Sequence, residues 1–424
     1  MITDVALDLL IERYVERVYK MNTIFLKGVG ESIRKIRTLT PSQAHQLVEI
    51  LKYGGSYDEI VKKISKQTNL SVQEIDEIFA EVAKMDLDFA EQFYKYRNIP
   101  FKKYAKNETL KRHVQSLARI AKEEFFNFAN SSAIGYSIRD SEGNILKLGL
   151  RETYEKILDE AILNVSRGVT TFDYNMSKIL KSLGRSGLKY LDYESGRSIR
   201  LDSMVRQHMN NAIRNLHNEI ELDFGKEFDS DGVEISVHQQ PAPDHMYVQG
   251  RQFSTNQYDE NGNLIKKGEF EKFQDDEDAV SYDGIKFPAI SEETGRDRRS
   301  ISEYNCRHYI YSIVLGVSQP NFTEKALQNI IDKNEKGFEL DGIHYTGYEG
   351  TQLQRKLERE IRTQKDLQIL GRSSRNKEMI LDAQEKISQL TYKYKELSDI
   401  SGLKTRMDRL RVGGYKRIAK SKLS

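Results

Sequence analysis

Proline is nearly absent from most of this chain, and where it occurs it clusters. Of six prolines in 424 residues, four (Pro241, Pro243, Pro288 and Pro320) fall between 241 and 320. A proline inside a helix removes a hydrogen bond and clashes with the preceding turn, so a chain this poor in proline can keep long helices. The clustered stretch cannot be built that way. The expected fold is therefore α+β and mostly α. Four stretches are expected: a helical N-terminal region (1–134), a hairpin plus helices (135–225), a central α+β module containing histidines and the cysteine (226–320), and a charged helical C-terminal region with a basic tail (321–424).

The charge balance narrows the function classes. There are 66 Lys and Arg against 64 Asp and Glu, a formal net of +2, and charged residues make up 31% of the chain. That excludes a uniformly basic nucleic-acid binder and an acidic disordered solubiliser. The hydrophobic fraction is 38%, enough for modest cores in a surface-rich chain but not for one large globule. Cys306 is the single cysteine, so no disulfide can form within the chain and a reducing compartment is expected. The start, Met-Ile-Thr-Asp, lacks the basic region of a signal peptide. The longest apolar stretch, Tyr309 to Val317, is too short to span a bilayer. The chain is expected to be soluble, made in the cytoplasm and not inserted in a membrane.

Local patterns place the elements. Leu7, Ile11, Tyr14, Val15 and Val18 share one helical face. Thr40-Pro41-Ser42-Gln43 has the form of a capping box with proline in the first helical position. Gly54-Gly55-Ser56 ends that helix and caps the next, and Ser71-Val72-Gln73-Glu74 reads as a second capping box. Val114, Leu117, Ala118 and Ala121 mark a further helix. Tyr136 to Leu146, with Asp140-Ser141-Glu142-Gly143-Asn144 in the middle, reads as a β-hairpin. Helix resumes with Leu158, Ile162 and Val165, followed by a loop from Gly184 to Gly196. The next helix has Val205, Met209, Ala212 and Leu216 on one face and a polar face of Arg206, Asn210, Arg214 and Asn218. The charge-dense run Gln352 to Leu367 and the helix at 376–398 predict surface helices or a helix pair.

Two constellations could carry chemistry. In the first, Val233 to His238 alternates like a strand and runs into Pro241-Ala-Pro-Asp244-His245. Tyr304-Asn305-Cys306-Arg307-His308 follows about sixty residues later. On a strand, Cys306 and His308 would face the same way. With His238 and His245 they offer three imidazoles and a thiolate, a set that suits tetrahedral zinc. The alternative is a small core in which the histidines bond backbone carbonyls and Cys306 packs as a small hydrophobe. A metal-dependent hydrolase with Asp244 or Glu303 as base is the competing functional class, and a Cys306–His308 dyad beside Arg307 a further one. No H-E-x-x-H, P-loop or oxyanion loop is visible, so no catalytic residue is assigned and no enzyme is expected. Asp275-Asp276-Glu277-Asp278 lacks the spacing and glycine of a calcium loop.

The second constellation is the basic tail. Lys404, Arg406, Arg409, Arg411, Lys416, Arg417, Lys420 and Lys422 stand against one acid, Asp408. They are candidate nucleic-acid contacts to phosphate, insensitive to sequence; a solvated terminus is the alternative.

In this order the motifs resemble a known family. Pro243-Asp244-His245, Gln249-Gly250-Arg251, Phe253-Ser254, Thr294-Gly295 and Asn305-Cys306-Arg307-His308 together resemble the phage minor capsid protein 2 family. Met204-Val205-Arg206-Gln207 with Asn210-Asn211, Tyr348 to Arg362, and Arg409 to Tyr415 are similar to its flanking segments. The likeness covers roughly residues 200–424, with a looser helical likeness before it. Two departures stand out, a longer acidic stretch from Asn256 to Val280 and the absence of a glycine at Ser302-Glu303-Tyr304. The resemblance implies a structural minor head protein of a tailed bacteriophage, made in the host cytoplasm and carried in the virion. Its implied partners are the portal protein, other head proteins and phage DNA, with roles in head assembly and in DNA packaging or ejection.

Overall fold

A computed structural model describes residues 4–417, apart from short breaks in turns and most of 255–305. The chain is mostly helical with small antiparallel sheets, the α+β class expected. Four helices come first: α1 (Asp4–Ile36), α2 (Pro41–Tyr53), α3 (Ser56–Arg97) and α4 (Glu108–Asn130). The hairpin β1 (Ile134–Arg139) and β2 (Ile145–Gly149) follows, then α5 (Leu150–Val165) and α6 (Val169–Ser186). Strands β3 (Lys189–Leu191) and β4 (Ser198–Arg200) complete a sheet of order β2-β1-β3-β4 and lead into α7 (Leu201–Glu227).

Helix α1 carries buried faces along its length. Its predicted face (Leu7, Ile11, Tyr14, Val15, Val18) continues through Phe25, Val29 and Ile33 into one core with α3, α4, α5, α6 and α7. Another side of α1 holds Tyr19 against Ile369 and Val412 of the C-terminal region. The Thr40 capping box forms: Gln43 N–H donates to Thr40 Oγ1, and Thr40 N–H to Gln43 Oε1 at 3.1 Å.

Two sequence expectations need correction. Ser71 and Glu74 do not cap a helix; they lie inside the 42-residue α3. Ser71 Oγ bonds back to the Gln67 carbonyl, and buried Glu74 receives Arg13 at 2.9 Å and Arg17 from α1. The region from Gly184 is not all loop, because α6 runs to Ser186 and β3 pairs with β1. The polar face of α7 is partly enclosed: Arg214 and Asn218 are buried, because the helix packs on α1, α3, α4 and the central strands.

The module is built on β5 (Gly232–Ile235), flanked by β6 (Gln252–Ser254) and by β11 (Ile310–Ile313). Between them lie two short strand pairs, β7 (Gln257–Tyr258) with β8 (Leu264–Lys266) and β9 (Val280–Tyr282) with β10 (Ile285–Phe287). The chain then forms α8 (Glu324–Lys336), the hairpin β12 (Phe338–Leu340) and β13 (Ile343–Tyr345), and two long helices, α9 (Gly347–Ser374) and α10 (Lys377–Ser401). Thr346 and Glu349 form a reciprocal capping box at the start of α9. The charge-dense helix pairs with α10, as one of the two expectations had it, but it also packs on α1 and buries Glu358, Arg362 and Asp366.

A proline at position 72 separates the two readings of α3. At the first position of a capped helix it would be tolerated. Within a continuous helix Val72→Pro is expected to cost about 3 kcal/mol or more, measured by urea denaturation of the purified chain.

Candidate metal centre and basic surfaces

Strand β5 brings the histidines and the cysteine together. Its register with β11 pairs Ile235 with Ile310. The pairing extends one step further, with Ser236 N–H donating to Tyr309 O at 2.9 Å. His308 and Cys306 therefore run alongside the chain leaving β5, although both lie just before β11 rather than in it, and His238 lies past the end of β5. On the other edge a turn returns the chain to β5. His245 O accepts from Val248 and Gln249, Gly250 N–H donates to Ile235 O at 2.9 Å, and Ile235 N–H donates to Arg251 O.

Gly250 makes this turn possible. Its φ is +70°, and a Cβ there would stand 2.4 Å from Leu327 and 2.7 Å from Val237.

The result is a compact cluster. Cys306 Sγ stands 3.8 Å from His245 Nδ1 and 3.7 Å from His308 Nδ1. Potential ligand atoms of His245, Cys306 and His308 lie within 4.8 Å of one another, and all three residues are buried. The His238 ring lies beside that of His308, with centroids 4.5 Å apart. Sequence reading missed Gln249, which is buried and accepts the His238 backbone N–H at 2.9 Å while facing His308 Nε2 at 3.4 Å. It missed Arg214 as well, which reaches from α7 to the Cys306 carbonyl. Asp244, Glu303, Arg307 and Asp275 to Asp278 lie outside the described residues.

The four cluster residues line a cleft of about 720 Å³ together with arginines of α7 and α9 and Lys404. Most of these cations are already paired. Arg206 makes a two-pronged pair with Glu12, at 2.7 and 2.9 Å. Arg362 and Arg200 both contact Asp202, at 3.3 and 3.0 Å. Arg406 pairs with Asp8 and Asp408, and Arg409 with Asp8 at 3.3 Å. Two of the tail's candidate nucleic-acid contacts, Arg406 and Arg409, are thus used in holding the tail on α1. Lys404, Arg411, Lys416 and Arg417 are exposed, and Lys420 and Lys422 lie outside the described residues.

Burial sets the charge states in this network. Burial alone would raise the Asp202 carboxyl, but Arg200, Arg362 and Arg206 hold it well below the usual range. For Asp366 the balance reverses. Burial pushes its carboxyl up to about 6, against the pull of Arg200 and the Tyr19 hydroxyl, which donates to it at 2.6 Å. On α7, His217 is held above its ordinary value, since the Asp86 carboxylate at 2.8 Å outweighs desolvation.

With this fold and cluster in hand, the chain proves to be a structural protein of a phage particle. It belongs to the phage minor capsid protein 2 family, whose match covers residues 2–399. The match takes in the helical N-terminal half and stops short of Arg409 to Tyr415. No curated protein matches the chain. No solved structure matches it either. Among the described residues, no helix is long and apolar enough to cross a membrane.

Two outcomes follow. Gly250→Ala is expected to lower stability by more than 1 kcal/mol, because a Cβ there is strained in both backbone and packing, and thermal melting will read it. The second concerns pH. A carboxyl whose folded value is raised contributes stability that is complete below its unfolded value, near 4, and is lost as pH rises through about 6. Asp366→Asn should flatten the fall in unfolding free energy between about pH 4 and 6. Buried Glu221, also raised, retains part of the slope.

Proposed function

We propose that this chain is a minor head protein positioned at the portal vertex, contacting the portal and other head proteins and serving head assembly. The observation that carries this reading is family membership over nearly the whole chain, which gives a structural role in the phage head. The architecture supports it. Long helices surround a small module, and exposed Leu9, Tyr174, Tyr392 and Ile400 are available for contact with large neighbours. Purified virions analysed by mass spectrometry should contain the chain, and portal protein should retain it in a pull-down. Absence from both would discard the proposal.

DNA contact during packaging or ejection is the finer part of the proposal. The exposed tail residues Lys404, Arg411, Lys416 and Arg417 are suited to meet phosphates without reading sequence. Replacing these four by Gln should weaken DNA retention on a filter and flatten its dependence on salt. Arg406→Ala and Arg409→Ala should act instead on stability, since their charges are used internally. Unchanged retention in the fourfold variant would remove DNA from the list of partners.

A hydrolase reading has one observation in its favour, the position of the His/Cys cluster on the wall of a cleft. It predicts metal-dependent cleavage of nucleic acid or protein by the purified chain. The structural reading predicts none.

A further inference from the structure

We propose that the central module binds one zinc ion, with His245, Cys306 and His308 as three ligands and His238 as the fourth. The inference goes beyond a role in the virion and stands apart from it, because it rests on the placement and chemistry of the donor atoms.

The spacing of the donor atoms is the first argument. Zinc holds a thiolate at about 2.3 Å and an imidazole nitrogen at about 2.0–2.1 Å, and a tetrahedral angle then separates sulfur from nitrogen by about 3.6 Å. Cys306 Sγ stands at 3.7 and 3.8 Å from two ring nitrogens. The cysteine thus already occupies a ligand position relative to both imidazoles.

The protonation pattern is the second. The His238 backbone N–H can only donate, so the side-chain atom of Gln249 that meets it is the oxygen. That same oxygen faces His308 Nε2. His308 therefore carries its proton on Nε2 and presents the Nδ1 lone pair to the sulfur. This is the tautomer of a metal ligand, with Gln249 as the outer partner that fixes the ring.

The chemistry of the set is the third. Three imidazoles and a thiolate, with no carboxylate among them, select zinc over magnesium or calcium. Cys306, His245 and His308 are 1%, 2% and 3% exposed, so the ligands are shielded. His238 adjoins the cluster, its ring beside that of His308, and is the fourth ligand of the proposed site. Four protein ligands make a structural site. The ion would tie the turn at His245 to the segment entering β11 across 61 positions of chain, at the point where Arg214 holds the Cys306 carbonyl to α7. Closing a loop of that length is where a metal clip contributes most to stability.

The full-length chain, expressed in zinc-supplemented medium, tests this. Elemental analysis should give one zinc per chain. Replacement by Co²⁺ should give the intense visible bands of a tetrahedral site and a near-ultraviolet thiolate-to-cobalt band. Cys306→Ser should abolish the near-ultraviolet band. His238→Ala should weaken the visible bands, and Gln249→Ala should weaken cobalt affinity about 10–100-fold. Chelation should lower the melting temperature of the wild-type chain and leave that of Cys306→Ser unchanged. A folded wild-type chain with neither zinc nor a cobalt spectrum would overturn the site, whether or not any variant folds. An unchanged cobalt spectrum in His238→Ala would overturn the fourth ligand.

Discussion

A chain of buried charges between α1, α7, α9 and the C-terminal segment sets the arrangement of everything else. It runs from Tyr19 and Asp366 through Arg200, Asp202 and Arg362, then through Arg206, Glu12 and Arg409 to Asp8 and Arg406. Taking such groups out of water is costly, and the cost is offset only when each has its partner in place. A network of this kind adds little net stability over an apolar core, but it tolerates few alternative alignments. The helices around it also pack through apolar faces that could slide by a turn. The charges fix which turn meets which.

Helix α7 carries this order into the module. One side of it meets α1 and α3, where His217 pairs with Asp86. Other residues grip the strands: Asn218 accepts from the Ile310 N–H, Glu221 from Ser312, and Arg214 holds the Cys306 carbonyl. The cluster is therefore set against a helix that is itself fixed on several sides. For a protein that takes its place among large neighbours in a phage head, rigidity of this kind presents a defined surface.

Much of the plan was legible in the sequence, for identifiable reasons. The Thr40 cap and the 134–149 hairpin are local, and their signals are self-contained. His238, His245, Cys306 and His308 could be grouped from their residue types and spacing, although Cys306 and His308 precede β11 and His238 follows β5, so the strand alternation invoked for them does not apply. Ser71 misled because S-x-x-E spacing is the same inside a helix as at its start. Only the arrival of Arg13 and Arg17 from another helix shows what Glu74 is for. The charge on α9 misled in a related way. Glu358, Arg362 and Asp366 read as solvated until their partners, distant in sequence, are in view. Gln249 was visible only as part of a family motif and Arg214 only as a polar position on its helix, since their roles exist only once the strands are paired.

The link between Asp8 and Arg406 spans 398 positions. On a ribosome such a contact has to wait until residue 406 has emerged. Until then the first helix carries an acidic side chain without its arginines, beside Tyr19, which is destined for Ile369 and Val412. Nascent chains interrupted before residue 406 lack the arginines that clasp the first helix, and the charge network stays incomplete. Closure of the charge network is thus coupled to how far synthesis has gone.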